Sequence, residues 1–224
     1  MIEWTGLSPD EARQFLANKD KSKRDKRLSL KEAVQKYVKD GDNIGVAGFV
    51  NGRQPIAIVH EIVRQGRKDL TLSYQSAGLA IEYLAGAMAL DESKNSIRRM
   101  ELAYWAHEAF GISPLLRYLT ETGKLEIEDW SNYNMSARFK AGSIGLPFIP
   151  CRSPLGSDML QRNRAVVMDC PFTGRPIMLL PASHPNVGIV HVQEADIYGN
   201  CRIQGPLYTC PEIAMASAHT IVTC

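Results

Sequence analysis

At 224 residues, with 45% apolar and 22% charged side chains, the chain suits one large globular α/β domain or two small ones, with enough core to fold without disulfide or metal staples. The formal charge of +2 is too small to mark a nucleic-acid binder. Much of it sits in residues 19–27, whose six basic and two acidic side chains read as a solvated helix or linker. No run of about 18 apolar residues is present to span a membrane, and the start lacks the apolar core of a signal peptide. The five cysteines, at 151, 170, 201, 210 and 224, are odd in number and lack CxxC spacing. They point to neither a zinc site nor a disulfide framework, and free thiols suit a reducing cytoplasm. The expectation is a cytoplasmic protein without a metal.

The first element is a short helix opened by Ser8-Pro9-Asp10-Glu11, a capping box with proline at the first helical position. With the basic run it forms an N-terminal helical extension, residues 1–28, outside the main domain of 29–224. A second capping box, Ser29 to Glu32, opens a helix with Leu30, Ala33, Val34, Tyr37 and Val38 on its apolar face, ended by Gly41. Strand and helix patterns then alternate. A buried strand is predicted over 43–50, a helix over 55–65 closed by Gly66, and a strand over 70–75. A helix follows over 79–90 and a strand over 97–105. A helix begins at Ser113-Pro114 and ends at Gly123, with a short strand over 125–129 and a helix over 131–143. Near-continuous apolar strands separated by helices predict an open, mostly parallel sheet with helices on both faces.

The pattern changes after Pro147, because residues 147–186 hold seven of the twelve prolines. The run from Pro171 to Pro176 reads as a tight turn between short strands. A buried strand returns over 187–192, Tyr198-Gly199-Asn200 turns into 201–203, a helix is predicted over 211–218, and a strand over 220–224. Ending on an apolar strand predicts either a truncated chain or an edge covered by another chain.

Six stretches, in this order and spacing, carry a resemblance: GDNIGVAGFVNGRQP (41–55), SYQSAG (73–78), GKLEIEDWS (123–131), AGSIGLPFIP (141–150), CPFTG (170–174) and VGIVHVQEADIYGN (187–200). Together they resemble the α subunits of family I coenzyme A transferases of the glutaconate type, over residues 29–224. The resemblance implies a CoA-transferase-like open α/β fold and a β subunit of similar architecture, assembled as α2β2 or higher. It implies acyl-CoA and a carboxylic acid as substrates, with coenzyme A as co-substrate and no permanently bound cofactor. In such transferases a glutamate of the β half attacks the thioester, giving an anhydride and then an enzyme–CoA thioester. A carboxylate suits this because its acyl derivatives exchange in both directions. The nucleophile is therefore expected on a partner; nucleic acid and membrane are not expected partners.

Ligands of open parallel sheets bind beyond the carboxyl ends of the strands, so three loops are candidates. In the loop 48–54, the backbone amides of Gly48, Phe49 and Val50 face a ligand, with Asn51 and Arg53 as polar side chains; the bland alternative is a tight strand–helix turn. In the loop 75–79, Gln75, Ser76, Ala77 and Gly78 allow close approach; alternatively Ser76 caps the next helix. In the loop 106–113, His107 is a substrate-binding candidate and Glu108 the catalytic one, a carboxyl placed for general acid–base work. A solvated surface pair is the alternative there, and Trp105 and Tyr104 read as core. His60, Glu61 and His191 read as core or surface residues, and Glu194 and Asp196 as turn residues.

Other functions fit less well. Gly45-x-x-Gly48-x-x-x-Gly52 is not GxGxxG, and the second strand ends at Gln75 where an acid would hold a ribose, which argues against a dinucleotide enzyme. A non-catalytic sugar-phosphate sensor is a remote alternative. The live alternative is an acyl-CoA hydrolase or lyase on the same fold, of ring-cleaving or decarboxylating type, using Glu108.

Overall fold

The structure is a computed structural model and describes residues 2–91, 93 and 96–224. Both capping boxes form as read. Ser8 and Glu11 close the start of α1 (Pro9–Asn18), and Ser29 and Glu32 close the start of α2 (Leu30–Tyr37), each exchanging side-chain and backbone bonds. The parallel core then builds through β1 (Asn43–Val46), α3 (Ile56–Arg64), β2 (Leu70–Ala77), α4 (Leu79–Leu90), β3 (Ile97–Trp105), α5 (Pro114–Glu121), β4 (Glu126–Asp129) and α6 (Asn132–Ser143). The proline-rich stretch makes β5 (Phe148–Cys151), β6 (Val166–Asp169) and β7 (Pro176–Pro181), a three-stranded antiparallel sheet in the order β5-β7-β6. The chain finishes with β8 (Val187–His191), the two-residue strands β9 (Glu194–Ala195) and β10 (Cys201–Arg202), α7 (Cys210–Ala216) and β11 (His219–Thr223).

The main sheet has the order β11-β8-β1-β2-β3-β4, and every pairing in it is parallel. From β1 the chain walks outward through β2, β3 and β4, then returns to place β8 on the other side of β1. The order therefore reverses between β1 and β8, where parallel α/β sheets open their ligand crevice. One core buries Ile44, Val46, Leu70, Leu72 and Tyr74 of the strands against Ile58, Ile62, Ile81 and Leu84 of α3 and α4. The other buries Met135 and Phe139 of α6 with Ile213 of α7, Met178 and Leu180 of β7, and Val190.

Of the boundaries that differ from the sequence reading, two move candidate residues. The first strand stops at Val46 rather than 50: Ala47 N–H still reaches the Ile189 carbonyl at 3.0 Å, but Gly48, at φ +100°, turns the chain away. The second runs to Ala77 rather than 75, because β3 is long enough to pair Ser76 with Tyr104 and Ala77 with Trp105. Gln75, Ser76 and Ala77 are thus strand residues, not loop residues. The last helix ends at Ala216, and β11 forms an edge of the sheet beside β8.

The basic run read as a solvated linker has no helix and is exposed. The segment ahead of it lies against the body. Leu7 N–H donates to the His184 carbonyl at 2.9 Å, the Thr5 hydroxyl donates to Glu101 at 2.6 Å, Phe15 packs edge-on to His219, and Lys19 reaches the Ala218 carbonyl at 2.8 Å. Glu101 is fully buried on β3 and also takes Arg138, Arg164 and Ser73.

Candidate active site

The loop after β1 is more tightly built than its glycines suggest. Phe49 N–H donates to the Gly52 carbonyl at 3.0 Å, and Gly52 N–H returns to the Phe49 carbonyl at 2.7 Å. Val50 N–H donates to the Ser76 carbonyl at 3.1 Å. Two of the three amides that the sequence reading turns toward a ligand are therefore committed inside the protein. Gly48 meets a steric need: a Cβ there would lie 2.8 Å from the Arg53 carbonyl and from Gln54 Nε2. Val50 adopts φ +46°, an outlier for a β-branched residue and the kind of local strain that clusters at binding sites. Asn51 is exposed at the tip of the loop.

What holds the loop comes from three directions. Phe49 stacks on Tyr208, ring centroids 4.7 Å apart and 13° from parallel. Arg53 lies over the same Tyr208 ring at 5.0 Å and donates to the Pro206 carbonyl. Together they join the loop after β1 to the segment leading into α7, across the point where strand order reverses. Gln54, which the sequence reading passes over, accepts from the Tyr74 hydroxyl at 2.9 Å and from Ala80 N–H at 3.3 Å. It thereby caps α4, whose N-cap residue Gly78 offers no side chain. Burial pushes the Tyr74 phenol up from its ordinary value, so it stays a neutral donor. Tyr74→Phe is expected to cost about 1–2 kcal/mol by orphaning buried Gln54. A urea midpoint that falls at constant slope would register that loss; an unmoved midpoint would show the bond to be dispensable.

The residues after 74 are redistributed. Ser76 does not cap α4; its buried hydroxyl donates to Asn132 Oδ1 at 3.2 Å, at the start of α6. Ala77 is core. Gly78 makes room for protein, since a Cβ there would lie 1.7 Å from the Val50 carbonyl oxygen. Gln75 alone of this group lines a cavity of about 380 Å³, whose walls include Tyr133 and Lys140 of α6, Ile149 of β5, Glu212 of α7 and Tyr208 just before α7. Gln75 Oε1 and Thr209 Oγ1, on two walls of that cavity, are buried without a hydrogen-bond partner.

The third loop is a closed turn. Ala106 bridges Ile112, His107 N–H donates to the Gly111 carbonyl at 2.8 Å, and Glu108 to Phe110 form one short 3-10 turn. Glu108 has φ +52° and an exposed side chain. His107 points back to the protein, its Nε2 3.0 Å from Glu82 Oε1. The same oxygen accepts the Trp105 indole N–H at 2.6 Å. Glu82 escapes sequence reading because it sits among apolar residues of α4, and its partners lie more than twenty residues away. Trp105 is buried, as read, and His191 is tied to Thr223 within the sheet. Asp196 forms the expected turn, accepting from Tyr198 and Asn200 amides.

The glycine loop, Gln75 and the 106–112 turn thus all lie along the carboxyl edge of β1, β2 and β3. The sequence profile of the Coenzyme A transferase family matches residues 27–224. The chain belongs to that family. It is 38% identical to an uncharacterised protein of Archaeoglobus fulgidus, over all of this chain and 48% of that protein. The structure of glutaconate coenzyme A-transferase from Acidaminococcus fermentans superposes with a TM-score of 0.79 at 31% identity, covering 88% of this chain and 66% of that one. The decarboxylase AibA/AibB gives a TM-score of 0.78 at 31% identity, covering 87% of this chain and 72% of that one. The chain spans about half to two thirds of the length of these two longer relatives, the Archaeoglobus protein and the glutaconate enzyme chain. The open α/β architecture expected from the sequence is the one observed. Among the described residues, no helix is long and apolar enough to cross a membrane.

Proposed function

We propose that this chain is the α-type half of a CoA-transferase that moves coenzyme A between an acyl-CoA thioester and a carboxylic acid. The observation that carries the reading is the division of labour at the carboxyl edge. This chain contributes shaped loops and a cavity there, while its half-buried carboxylate, Glu82, is engaged by Trp105 and His107. On the family resemblance, the attacking carboxylate is a glutamate of a β-type partner. It attacks the thioester carbonyl and expels the CoA thiolate, leaving an acyl–glutamyl anhydride. The thiolate next attacks the glutamyl carbonyl and releases the first acid, and the acceptor carboxylate reverses the sequence. Exposed Leu79 and Tyr83 on α4, with Phe110 and Ile112 on the adjoining turn, support a partner seated on this rim. An α2β2 assembly or a higher multiple, a domain division at residue 28, and substrate contacts from the Gly48 amide, Asn51, Gln75 and His107 belong to the same proposal.

A second reading has its own support. Glu108 is the exposed carboxylate of the rim, and the likeness to a decarboxylase is as close as that to a transferase. In a hydrolase or lyase, Glu108 would move the proton. The experiment is turnover of the assembled protein with and without an acceptor carboxylate, before and after Glu108→Ala. Acceptor-dependent CoA transfer that falls about tenfold or less supports the transferase. Acceptor-independent cleavage that falls roughly 10²–10⁴-fold would sink it in favour of the second reading.

A further inference from the structure

Glu82 stands on the first turns of α4, directly below the turn that carries His107 and Glu108. Its side chain is 15% exposed and that of His107 18%, so water competes weakly for the bond between them. A carboxylate oxygen offers lone pairs and no hydrogen, so His107 Nε2 must supply the proton of that bond. A neutral imidazole has one N–H; with it on Nε2, Nδ1 is left as an acceptor. The Trp105 indole, donating to the same oxygen, fixes where that oxygen sits.

The bond also holds a loop. Phe110 N–H donates to the His107 carbonyl at 3.1 Å and Gly111 N–H to the Glu108 carbonyl at 3.1 Å, so residues 107–111 move as one closed turn. The His107–Glu82 bond ties that turn to α4 through side chains. Glu108 rides on it in a left-handed conformation, which a non-glycine residue keeps only while its surroundings enforce it.

We infer that Glu82 is a positioning residue: it holds His107 in the Nε2–H tautomer, with Nδ1 as a proton or hydrogen-bond acceptor, and latches the turn that presents Glu108 to the acyl-CoA ester. The inference rests on the reading that this rim handles such an ester. Loss of the carboxylate lets the imidazole proton redistribute and lets His107 and Glu108 drift together. Misplacing a site by about 1 Å costs up to roughly 10²-fold in rate. The effect should exceed that of Glu108→Ala in a transferase, because two side chains are displaced rather than one.

The test compares Glu82→Gln with Glu82→Leu in the assembled protein. The glutamine oxygen still accepts from both N–H groups; leucine accepts from neither. Nitrogen-15 NMR of His107 reads the tautomer, and amide hydrogen exchange at Gly111 reads the latch. In Glu82→Gln the Nε2–H signature, slow exchange and most of the turnover are expected to survive. In Glu82→Leu mixed tautomers and faster exchange are expected, with kcat lower by roughly 10- to 10²-fold and KM nearly unchanged. Should the assembly prove inert toward acyl-CoA esters, the functional reading falls, and the tautomer and exchange measurements alone decide the latch. A leucine variant that keeps the Nε2–H tautomer and wild-type exchange, or loses both with kcat intact, overturns the inference.

Discussion

Glu101→Ala is expected to lower the free energy of unfolding by about 3–5 kcal/mol, the usual result of removing one partner from a buried ion pair. Glu101 is fully buried, and Arg138, itself 2% exposed, lies 2.9 Å away. Arg164, the Thr5 hydroxyl and the Ser73 hydroxyl complete its shell. Without the carboxylate, Arg138 keeps its stacking on Trp130 at 4.3 Å and its bond to the Pro181 carbonyl, but its charge is left buried. Burial pushes the Glu101 carboxyl up, and Arg138 and Arg164 outweigh it, bringing the group from an ordinary 4.5 to about 2. The folded value lies below the unfolded one, so this stabilisation is complete above about pH 4.5 and drains away as the pH falls toward 2. Urea titrations across that window should show wild type losing stability more steeply than the variant. Parallel curves would mean that the network contributes nothing through its charge.

Gly78→Ala is expected to disable the assembled protein and to destabilise this chain by about 3 kcal/mol, the upper end for an overpacked site. The added carbon would stand 1.7 Å from the Val50 carbonyl oxygen, a backbone atom that no rotamer can move. Relief requires the loop after β1 to lift, breaking the Val50–Ser76 bond and pulling Phe49 off Tyr208. Gly48→Val, at φ +100°, strains the same loop from its other end and would not separate a binding role from a structural one. If Gly78→Ala unfolded at the wild-type urea midpoint with full turnover, the loop would be neither rigid nor needed.

Much of the fold was legible because its signals are local. Ser8-Glu11 and Ser29-Glu32 mark helix starts through bonds that span three residues, and both helices form where the boxes place them. The apolar strands and their intervening helices announce a parallel sheet, and the resemblance carried by six ordered stretches agrees with it. What the sequence could not disclose depends on partners far away in the chain. The end of β2 is set by the length of β3, so Gln75 to Ala77 look like a loop until their ladder is known. The glycines at 48 and 78 read as openings for a ligand, whereas protein atoms fill the space beside both. Gln54 and Glu82 carry no motif, and each acquires a role only when α4 is placed over the strand ends. The reversal of strand order between β1 and β8, which locates the crevice, is likewise a property of topology and not of any residue.

The strap from Thr5 to Lys19 also dictates when this part of the chain can close during synthesis. Thr5 reaches Glu101, Leu7 reaches His184, and Lys19 reaches Ala218. Residues made earlier therefore close over segments made later. At translation speeds of roughly 5–20 residues per second, about 10–40 s separate Thr5 from Ala218. Until Arg138, Arg164 and His184 are made, the buried face of Glu101 lacks its arginines and the strap lacks part of its dock. Its docking therefore follows the making of those later segments rather than preceding it.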